Sequence, residues 1–320
     1  MKKTICWIFA AAVIVAVVVL CIVFSVKTEA VTDYAMNTVI TITVKSQSPK
    51  EDIDAAIGEV KRIDALMSAT NPQSDIYRIN SAKSGEAVKV SKETCNLIKL
   101  ALEISENTGG AFDISVNSLS ELWNINSPEP VVPSEEDINA LLECTDYKLI
   151  DVDFKKSTVT LKKEGMSVSL GAIAKGYAAD RVAGILKDRG VTEALIDLGG
   201  NVYVLGSEKT VGIQTPFKVR GEYFTTCKVI DKSVVTSGAY ERYFEKDGKV
   251  YHHILNPQTG YPAESGIASV TVIGENSALA DGLSTAIYIM GAEKAKDIAS
   301  KYTDIEIIIL TDDGKTVRIN

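Results

Sequence analysis

A run of 22 residues without a charged side chain, from Ile5 to Val26, is the feature that most constrains this chain. About 20 apolar residues are enough for a helix to cross a bilayer. Lys2 and Lys3 precede the run, and basic flanks stay on the cytoplasmic side. We therefore predict that residues 1–26 form a transmembrane or signal segment at the cell membrane, with a cytoplasmic N-terminus and the rest of the chain outside the cytoplasm.

A cleaved signal peptide is the main alternative for this segment. Its apolar core is usually shorter, and no small-x-small cleavage pattern follows the run closely. A lipoprotein cysteine at Cys21 is a further alternative, but the bulky Leu20 directly before it makes a poor lipid-attachment signal. The lysine start and the terminal position favour export or membrane anchoring over a buried core helix.

The rest of the chain has the composition of a globular protein with an excess of acid. Hydrophobic residues make up 46% and charged residues 24%, which excludes a disordered or collagen-like chain. Without Lys2 and Lys3, 32 basic residues face 42 acidic ones, a balance of −10. This charge argues against nucleic acid as a partner. The cysteines show no CxxC spacing, so neither a zinc site nor a disulfide framework is indicated.

The apolar pattern mixes strands and helices without regular βαβ alternation, which predicts an α+β fold with mixed sheets and flanking helices. Residues 27–33 are interpreted as a tether and 34–320 as one domain. The predicted strands are 39–44, a hairpin within 147–161, 167–170, 193–198, 202–206, 222–230, 249–255, 268–273 and 305–310. The predicted helices are one over Ile53–Met67, one from Ser91 to Gly109, one after Ser134, 172–189, 277–290 and 292–301.

The segment Ser169–Gly176 crosses from a predicted strand into a predicted helix. Small residues there let a ligand approach the backbone, and a helix N-terminus with Lys175 favours an anion. A phosphate-binding P-loop is excluded because Tyr177, not Ser or Thr, follows Gly176. A tight strand-to-helix joint without a ligand remains the alternative.

Asp281, Ser284 and Thr285 occupy positions i, i+3 and i+4 of a predicted helix. This spacing places one carboxylate and two hydroxyls on one face. Such hard oxygen donors suit Mg²⁺, which usually keeps water or substrate phosphates as further ligands. The alternative is an ordinary solvated start of a helix.

The only two histidines, His252 and His253, lie next to each other on a predicted strand. Because adjacent side chains of a strand point to opposite faces, at most one of them is expected to face a site. The cluster Thr236-Ser237-Gly238 is a further group of small polar residues, and no GxSxG elbow supports an acyl-transfer serine.

The order of many short motifs is more specific than any one of them, and together they resemble the ApbE family of FAD:protein FMN transferases. The match runs from about residue 34 to the C-terminus. The motifs are Met36-Asn37-Thr38, Leu66-Met67-Ser68, Ser74-Asp75-Ile76, Arg78-Ile79-Asn80, Gly110-Ala111-Phe112-Asp113, the run from Gly171 to Tyr177, Leu198-Gly199-Gly200, Thr236-Ser237-Gly238, the run from His253 to Pro257, Thr259-Gly260, Ala280-Asp281 and Ser284-Thr285-Ala286.

The resemblance implies a single T-fold-like domain that uses FAD as its substrate with Mg²⁺. Enzymes of this family split FAD, join FMN to a Thr or Ser of an exported or membrane flavoprotein, and release AMP. By position, the implied metal ligands are the Ala172 carbonyl, Asp281, Ser284 and Thr285. His253 is the implied general base. The implied FAD contacts are Met36, Thr70, Ala111, Phe112, Asp113, Ser169, Lys175 and Leu255.

Three positions depart from the family pattern. Asn37 stands where many relatives have Gly, Thr70 where many have an aromatic residue, and Ser169 where an Asp is common. Loss of the ring at Thr70 is expected to loosen stacking and favour hydrolysis. An Mg²⁺-dependent FAD pyrophosphatase and a non-catalytic flavin-binding protein are therefore the alternatives to the transferase.

Overall fold

The computed structural model describes residues 26–219 and 221–320. The strands are β1 (Lys27–Ala35), β2 (Thr38–Ser46), β3 (Val88–Lys89), β4 (Ile150–Asp153), β5 (Thr158–Leu161), β6 (Glu193–Asp197), β7 (Asn201–Leu205), β8 (Lys209–Gln214), β9 (Tyr223–Val229), β10 (Lys232–Gly238), β11 (Tyr243–Lys246), β12 (Lys249–His252), β13 (Ile267–Gly274), β14 (Glu306–Thr311) and β15 (Thr316–Ile319). The α-helices are α1 (Pro49–Met67), α2 (Asp75–Ser81), α3 (Lys92–Asn107), α4 (Asn117–Trp123), α5 (Glu135–Leu142), α6 (Ala174–Asp188), α7 (Ser277–Met290) and α8 (Ala295–Lys301).

An eight-stranded sheet in the order β1-β2-β6-β7-β10-β13-β14-β15 organises the fold. Every neighbouring pair in it is antiparallel. On β2, the buried Ile40, Ile42 and Val44 alternate with more exposed residues, as expected when one face of a strand meets a core. This face belongs to the main hydrophobic core, to which α1, α6 and α7 also contribute.

The opposite face of the sheet is covered in its middle by the hairpin of β8 and β9. Val204, Val234, Ile273 and Ile308 of the sheet pack there with the hairpin residue Ile213. The sheet is therefore buried on both faces where β7, β10, β13 and β14 run, which explains why β7, β13 and β14 are rich in apolar residues. Helix α7 lies against β10, β13 and α6 on the main-core side.

Most predicted elements are confirmed, and the single α+β domain with them. The periodicity located α1, the Ser91 cap and the Gly109-Gly110 end located α3, and the Ser134 capping box located α5. Ser134 Oγ does accept a hydrogen bond from the Asp137 N–H. The prediction missed α2, α4 and strands including β8, β10, β11 and β15. These segments are short or lack a clear alternation, so their patterns do not stand out from loops.

Three predictions need correction. Residues 27–33, interpreted as a tether, form β1, which pairs with β2 along nine residues. The prediction of mixed sheets is wrong, because all strand ladders of the described residues are antiparallel. Among these residues, a parallel pairing occurs only as the isolated bridge between Val116 and Ser167. That bridge is also all that forms of the strand predicted over 167–170.

β1 escaped detection because it is an edge strand with little buried surface. Its first six residues are exposed, so no hydrophobic alternation marks it, and backbone hydrogen bonds to β2 define it instead. Within the described residues, none of the helices is long and apolar enough to cross a bilayer. Apart from Val26, the predicted anchor lies outside those residues.

Two glycines of α6 give a matched test of helix packing. A Cβ on Gly176 would overlap the Ser277 carbonyl and lie 2.7 Å from the Ala278 Cα, whereas a Cβ on Gly184 meets nothing within 4 Å. We expect Gly184→Ala to stabilise the fold by up to ~1 kcal/mol through helix propensity. Gly176→Ala should destabilise it by about 1–3 kcal/mol through overpacking. Urea-induced unfolding of the two variants measures both signs, and equal effects would refute the close packing of α6 and α7.

Candidate functional site

The centre of the site is a contact between the start of α6 and the first turns of α7. The Gly176 N–H donates to the Asp281 Oδ2 at 2.9 Å, and Asp281 is only 4% exposed. In a continued helix this N–H would bond to the Ala172 carbonyl, four residues back. The Ala172 carbonyl accepts no hydrogen bond within the described residues, so it is free to bind a ligand. The N-terminus of α6 thus positions the Asp281 carboxylate, and the Ala172 carbonyl lies two residues before the helix.

Lys175 brings a positive charge to the same place. Its Nζ lies 3.9 Å from the Asp281 Oδ1, and its side chain is 26% exposed. The ammonium therefore stands between a buried carboxylate and solvent. An anionic group that approaches from solvent would meet this lysine first.

The hydroxyls predicted on one face of α7 are brought together with a third from β10. Ser284 Oγ donates to the Asp281 carbonyl at 2.8 Å and lies 2.7 Å from the Ser237 Oγ. Ser237 Oγ also lies 3.3 Å from the Thr285 Oγ1. Ser284 is fully buried, whereas Thr285 is partly exposed. Ser237 was noted as part of a polar cluster in the sequence but was not predicted as a site residue.

These oxygens fit a magnesium ion with an incomplete protein shell. The Asp281 carboxylate, the free Ala172 carbonyl and the Thr285 hydroxyl are hard donors of the kind that Mg²⁺ prefers. No group of three or more His, Cys, Asp or Glu side chains that could hold a metal occurs in the described part of the chain. A single carboxylate leaves room for water and phosphate ligands, which is the usual arrangement for Mg²⁺ at a nucleotide.

Asp180 fixes the start of α7 and was missed by the sequence analysis. Its two carboxylate oxygens accept the Ser277 and Ala278 N–H groups at 2.8 and 2.9 Å. Burial, together with the negative charge of Asp281, raises the pKa of Asp180 to about 6, although the two N–H groups oppose this shift. The first turn of α7, and with it Asp281, is thereby held in place. An acidic residue on α6 and a capping site on α7 lie 97 residues apart, so no local motif reveals the pair.

The two histidines are held in opposite ways. His253 Nδ1 lies 3.2 Å from the Arg242 carbonyl, which can only accept, so Nδ1 carries the proton and Nε2 has a free lone pair. Burial, assisted by the positive charges of Arg242 and Lys175, lowers the pKa of His253 to about 3. The His253 ring is therefore neutral at physiological pH, with its Nε2 unprotonated.

His252 has a structural role. Its Nε2 lies 3.1 Å from the Ala263 carbonyl, its Nδ1 accepts the Ile254 N–H at 3.3 Å, and its ring packs edge-on against Tyr288. Both ring nitrogens are satisfied and the residue is buried. The expectation that at most one histidine faces a site agrees with these contacts, although the predicted strand ends at His252 rather than at residue 255.

Three of the predicted FAD contacts, Ala111, Phe112 and Ser169, lie in loops outside the helices and strands. The Ser169 N–H donates to the Ile114 carbonyl at 2.9 Å, and the Ser169 Oγ accepts the Gly171 N–H at 3.2 Å. Phe112 is 2% exposed and its ring would lie 3.6 Å from a Cβ on Gly282, next to Asp281. Ala111, like Phe112, is buried.

The Asp113 carboxylate forms its hydrogen bonds with other groups of the protein. Its Oδ1 accepts the N–H and the hydroxyl of Ser115 at 2.8 and 2.7 Å, and its Oδ2 accepts the Tyr147 N–H at 2.8 Å. Burial raises the pKa of Asp113. In this structure the carboxylate stabilises the loop after α3 by these three hydrogen bonds.

Met36 lies in the two-residue turn between β1 and β2. Met36 and Asn37 have φ of 51° and 58°, as in the type I′ turns that join antiparallel strands. Asn tolerates this region better than most residues, which explains how it replaces the family's glycine. Arg242 Nη2 donates to the Asn37 carbonyl at 3.4 Å, so the turn is tied to the residue that orients His253.

Two predicted contacts share no hydrogen bond with the described residues of this centre. Thr70 is exposed in the turn after α1, with its Oγ1 3.1 Å from the Ser68 Oγ. Leu255 is buried in a separate cluster with Leu119 and Trp123. Among the described residues, neither shares a hydrogen bond with Asp281, Lys175 or His253, and their role as FAD contacts stays a prediction.

The sequence profile of the ApbE family matches residues 36–309, which include every site residue described above. The chain belongs to the ApbE family. It is 39% identical over 252 residues to the FAD:protein FMN transferase of Klebsiella pneumoniae (strain 342), covering 79% of each chain. It is 32% identical over 305 residues to that of Treponema pallidum (strain Nichols), covering 88% of this chain and 84% of the relative.

Solved structures agree with this membership. The crystal structure of the ApbE protein of Thermotoga maritima superposes with a TM-score of 0.84 at 36% identity, covering 91% of this chain and 97% of that one. Flavin transferase ApbE of Vibrio cholerae gives a TM-score of 0.80 at 28% identity, with 92% and 97% covered. As a member of this family the chain is an enzyme of the transferase class.

The opposite settings of the two histidines can be observed directly. We expect His253 to be the Nδ1–H tautomer and His252 the Nε2–H tautomer, because each named nitrogen faces a carbonyl. Burial lowers both pKa values, so both rings should titrate below 6.5, and His253, with a pKa of about 3, should stay neutral when the pH falls from 8 to 5. Nitrogen-15 NMR of the imidazoles measures this, and His253→Gln assigns the only two signals. A ring that titrates near 6.5 would contradict the geometry.

The lowered pKa of His253 also makes the free energy of unfolding depend on pH. Between about pH 6.5 and 3 the unfolded chain binds a proton at residue 253 that the folded chain does not, so stability falls as the pH falls through this window. His253→Gln should lose less stability than the parent chain over that range. Unfolding by urea at pH 7 and pH 4.5 compares the two.

Proposed function

We propose that this protein is an Mg²⁺-dependent FAD:protein FMN transferase. The observation that carries the proposal is the Gly176–Asp281 contact, which sets a buried carboxylate, a free main-chain carbonyl and Lys175 around one point. Family membership and relatives named FAD:protein FMN transferase support the same reaction.

In this reaction a Thr or Ser hydroxyl of the acceptor attacks the FMN phosphorus of FAD. A new P–O bond to the acceptor forms, and the P–O bond to the AMP phosphate breaks. AMP leaves with the electron pair. When bound, Mg²⁺ would supply charge neutralisation at the diphosphate. Asp281, the Ala172 carbonyl and Thr285 would hold it, and Lys175 adds a cation of the chain's own.

His253 receives the hydroxyl proton at Nε2. Its Nδ1–H is fixed on the Arg242 carbonyl, so the free lone pair belongs to Nε2 alone. The low pKa keeps this lone pair available, and a positioned base typically contributes about 10²–10⁴-fold to rate. Arg242 therefore sets the tautomer of the base through its main chain.

The acceptor in this proposal is an exported or membrane flavoprotein that presents a Thr or Ser. The uncharged run from Ile5 to Val26 and the preceding lysines support a catalytic domain outside the cytoplasm, anchored at the cell membrane. The acidic body supports a protein rather than a nucleic-acid partner.

The adjacent histidines provide a matched test of the base. His253→Gln should lower covalent FMN transfer about 10²–10⁴-fold while FAD still binds, because only the proton acceptor is removed. His252→Gln should lower thermal stability but leave transfer by the folded protein close to the parent rate. Mass spectrometry of the acceptor detects the FMN adduct. Equal rates for His253→Gln and the parent chain would exclude His253 as the base.

Asp281→Ala and Thr285→Ala separate an enzyme from a flavin-binding protein. Both variants should keep measurable FAD binding, followed by flavin fluorescence, yet lose most of the AMP release. A parent chain that binds FAD but neither releases AMP nor labels an exported flavoprotein would refute the transferase.

Hydrolysis of FAD by water is a second candidate activity, favoured by the exposed Thr70 at a position where the family resemblance implies an aromatic residue in many relatives. Water and an alcohol attack the same phosphorus, so loose stacking would admit water. We expect AMP release without acceptor, measured by chromatography, to decrease in Thr70→Tyr. No AMP from the parent chain without acceptor would exclude this activity.

A further inference from the structure

Ser237 on β10 faces the two hydroxyls of α7. Its Oγ lies 2.7 Å from the Ser284 Oγ and 3.3 Å from the Thr285 Oγ1, and β10 lies against α7 along this stretch. Its neighbour Thr236 is paired differently, with Oγ1 2.9 Å from the Thr271 Oγ1 of β13. Successive side chains of a strand point to opposite faces, so only Ser237 of this pair reaches the site.

Counting hydrogens sets the direction of these bonds. Each hydroxyl has one hydrogen to donate and two lone pairs. The Ser284 hydroxyl donates its one hydrogen to the Asp281 carbonyl, which can only accept. Ser237 must therefore donate to Ser284, and Thr285 must donate to Ser237. The chain of bonds runs from Thr285 through Ser237 and Ser284 to the main chain of Asp281.

The direction of these hydrogen bonds determines whether the Thr285 hydroxyl can turn a lone pair towards a cation. A hydroxyl that binds a cation must turn a lone pair to it and its hydrogen away, and partners outside the ligand shell usually fix that orientation. Ser237 is the acceptor that draws the Thr285 hydrogen towards the sheet. Ser284 has both its hydrogen and one lone pair occupied and is fully buried.

We propose that Ser237 is a positioning residue for the cation site, which orients the Thr285 hydroxyl, and that Ser284 supports Ser237 instead of binding the cation. This inference rests on the proposed function because it assumes the Mg²⁺ site on Asp281 and Thr285. It adds a residue from the sheet to a site otherwise built by two helices.

The test measures cation affinity without turnover. Mn²⁺ is titrated into the full chain in detergent, without FAD, and free Mn²⁺ is followed by electron paramagnetic resonance. Ser237→Ala should weaken Mn²⁺ binding about 10–100-fold, as loss of such a partner typically does. Ser237→Thr keeps the hydroxyl and should restore the affinity.

Thr236→Val is the matched control, because it removes a paired hydroxyl from the adjacent position on the other face. It should lower the unfolding temperature but leave Mn²⁺ affinity unchanged. In a Thr285→Val background, Ser237→Ala should cause no further loss, since Ser237 acts through Thr285.

Three results would overturn the inference: parent-like Mn²⁺ affinity in Ser237→Ala, no rescue by Ser237→Thr, or additive losses in the double variant, which would make Ser237 a ligand itself. If the parent chain binds no Mn²⁺, the cation site itself is refuted, and with it the proposed Mg²⁺ dependence. If the parent chain binds Mn²⁺ and Ser237→Ala does not change the affinity, only the role of Ser237 is refuted.

Discussion

The hydrogen bond from the Gly176 N–H to Asp281 is the interaction on which the site depends. It requires α6 and α7 to approach so closely that a Cβ at residue 176 would overlap the Ser277 carbonyl. Gly176 is the third residue of α6, so its N–H has no acceptor within the helix and donates to Asp281 instead. A packing requirement and a binding requirement are thus met by the same absent methyl group.

The antiparallel sheet supplies the remaining geometry. β10 and β13 run beneath α7, and their alternation delivers Ser237 to the site while Thr236 pairs with Thr271. The core on both faces of these strands limits how far they can shift, because close-packed interiors resist displacement. Hydroxyl contacts at 2.7–3.3 Å between a strand and a helix depend on such a rigid base.

Features of the site that depend on residues close together in sequence could be predicted, whereas contacts between distant residues could not. The i, i+3, i+4 pattern placed Asp281, Ser284 and Thr285 on one face of a helix, because helix geometry is local. The same pattern cannot show that Ser284 turns into the sheet, nor that Asp180 caps a helix 97 residues later. Order among motifs indicated the family, since it preserves information about distant contacts that no single motif contains. β1 was missed because an exposed edge strand is defined by its partner's backbone and not by its own side chains.

The charges explain how an acidic protein can receive an anionic dinucleotide. Asp281 and Asp180 place two buried carboxylates near each other, and the raised pKa of Asp180 reflects that burial and repulsion. Lys175 offsets only part of the negative charge, at 3.9 Å from Asp281. A divalent cation on Asp281 would reverse the local field and relieve the repulsion on Asp180 at once. The body's net charge would then repel polyanions in general, while the proposed cation site would attract a diphosphate. Cation binding and substrate selection would then be a single electrostatic event at the contact between α6 and α7.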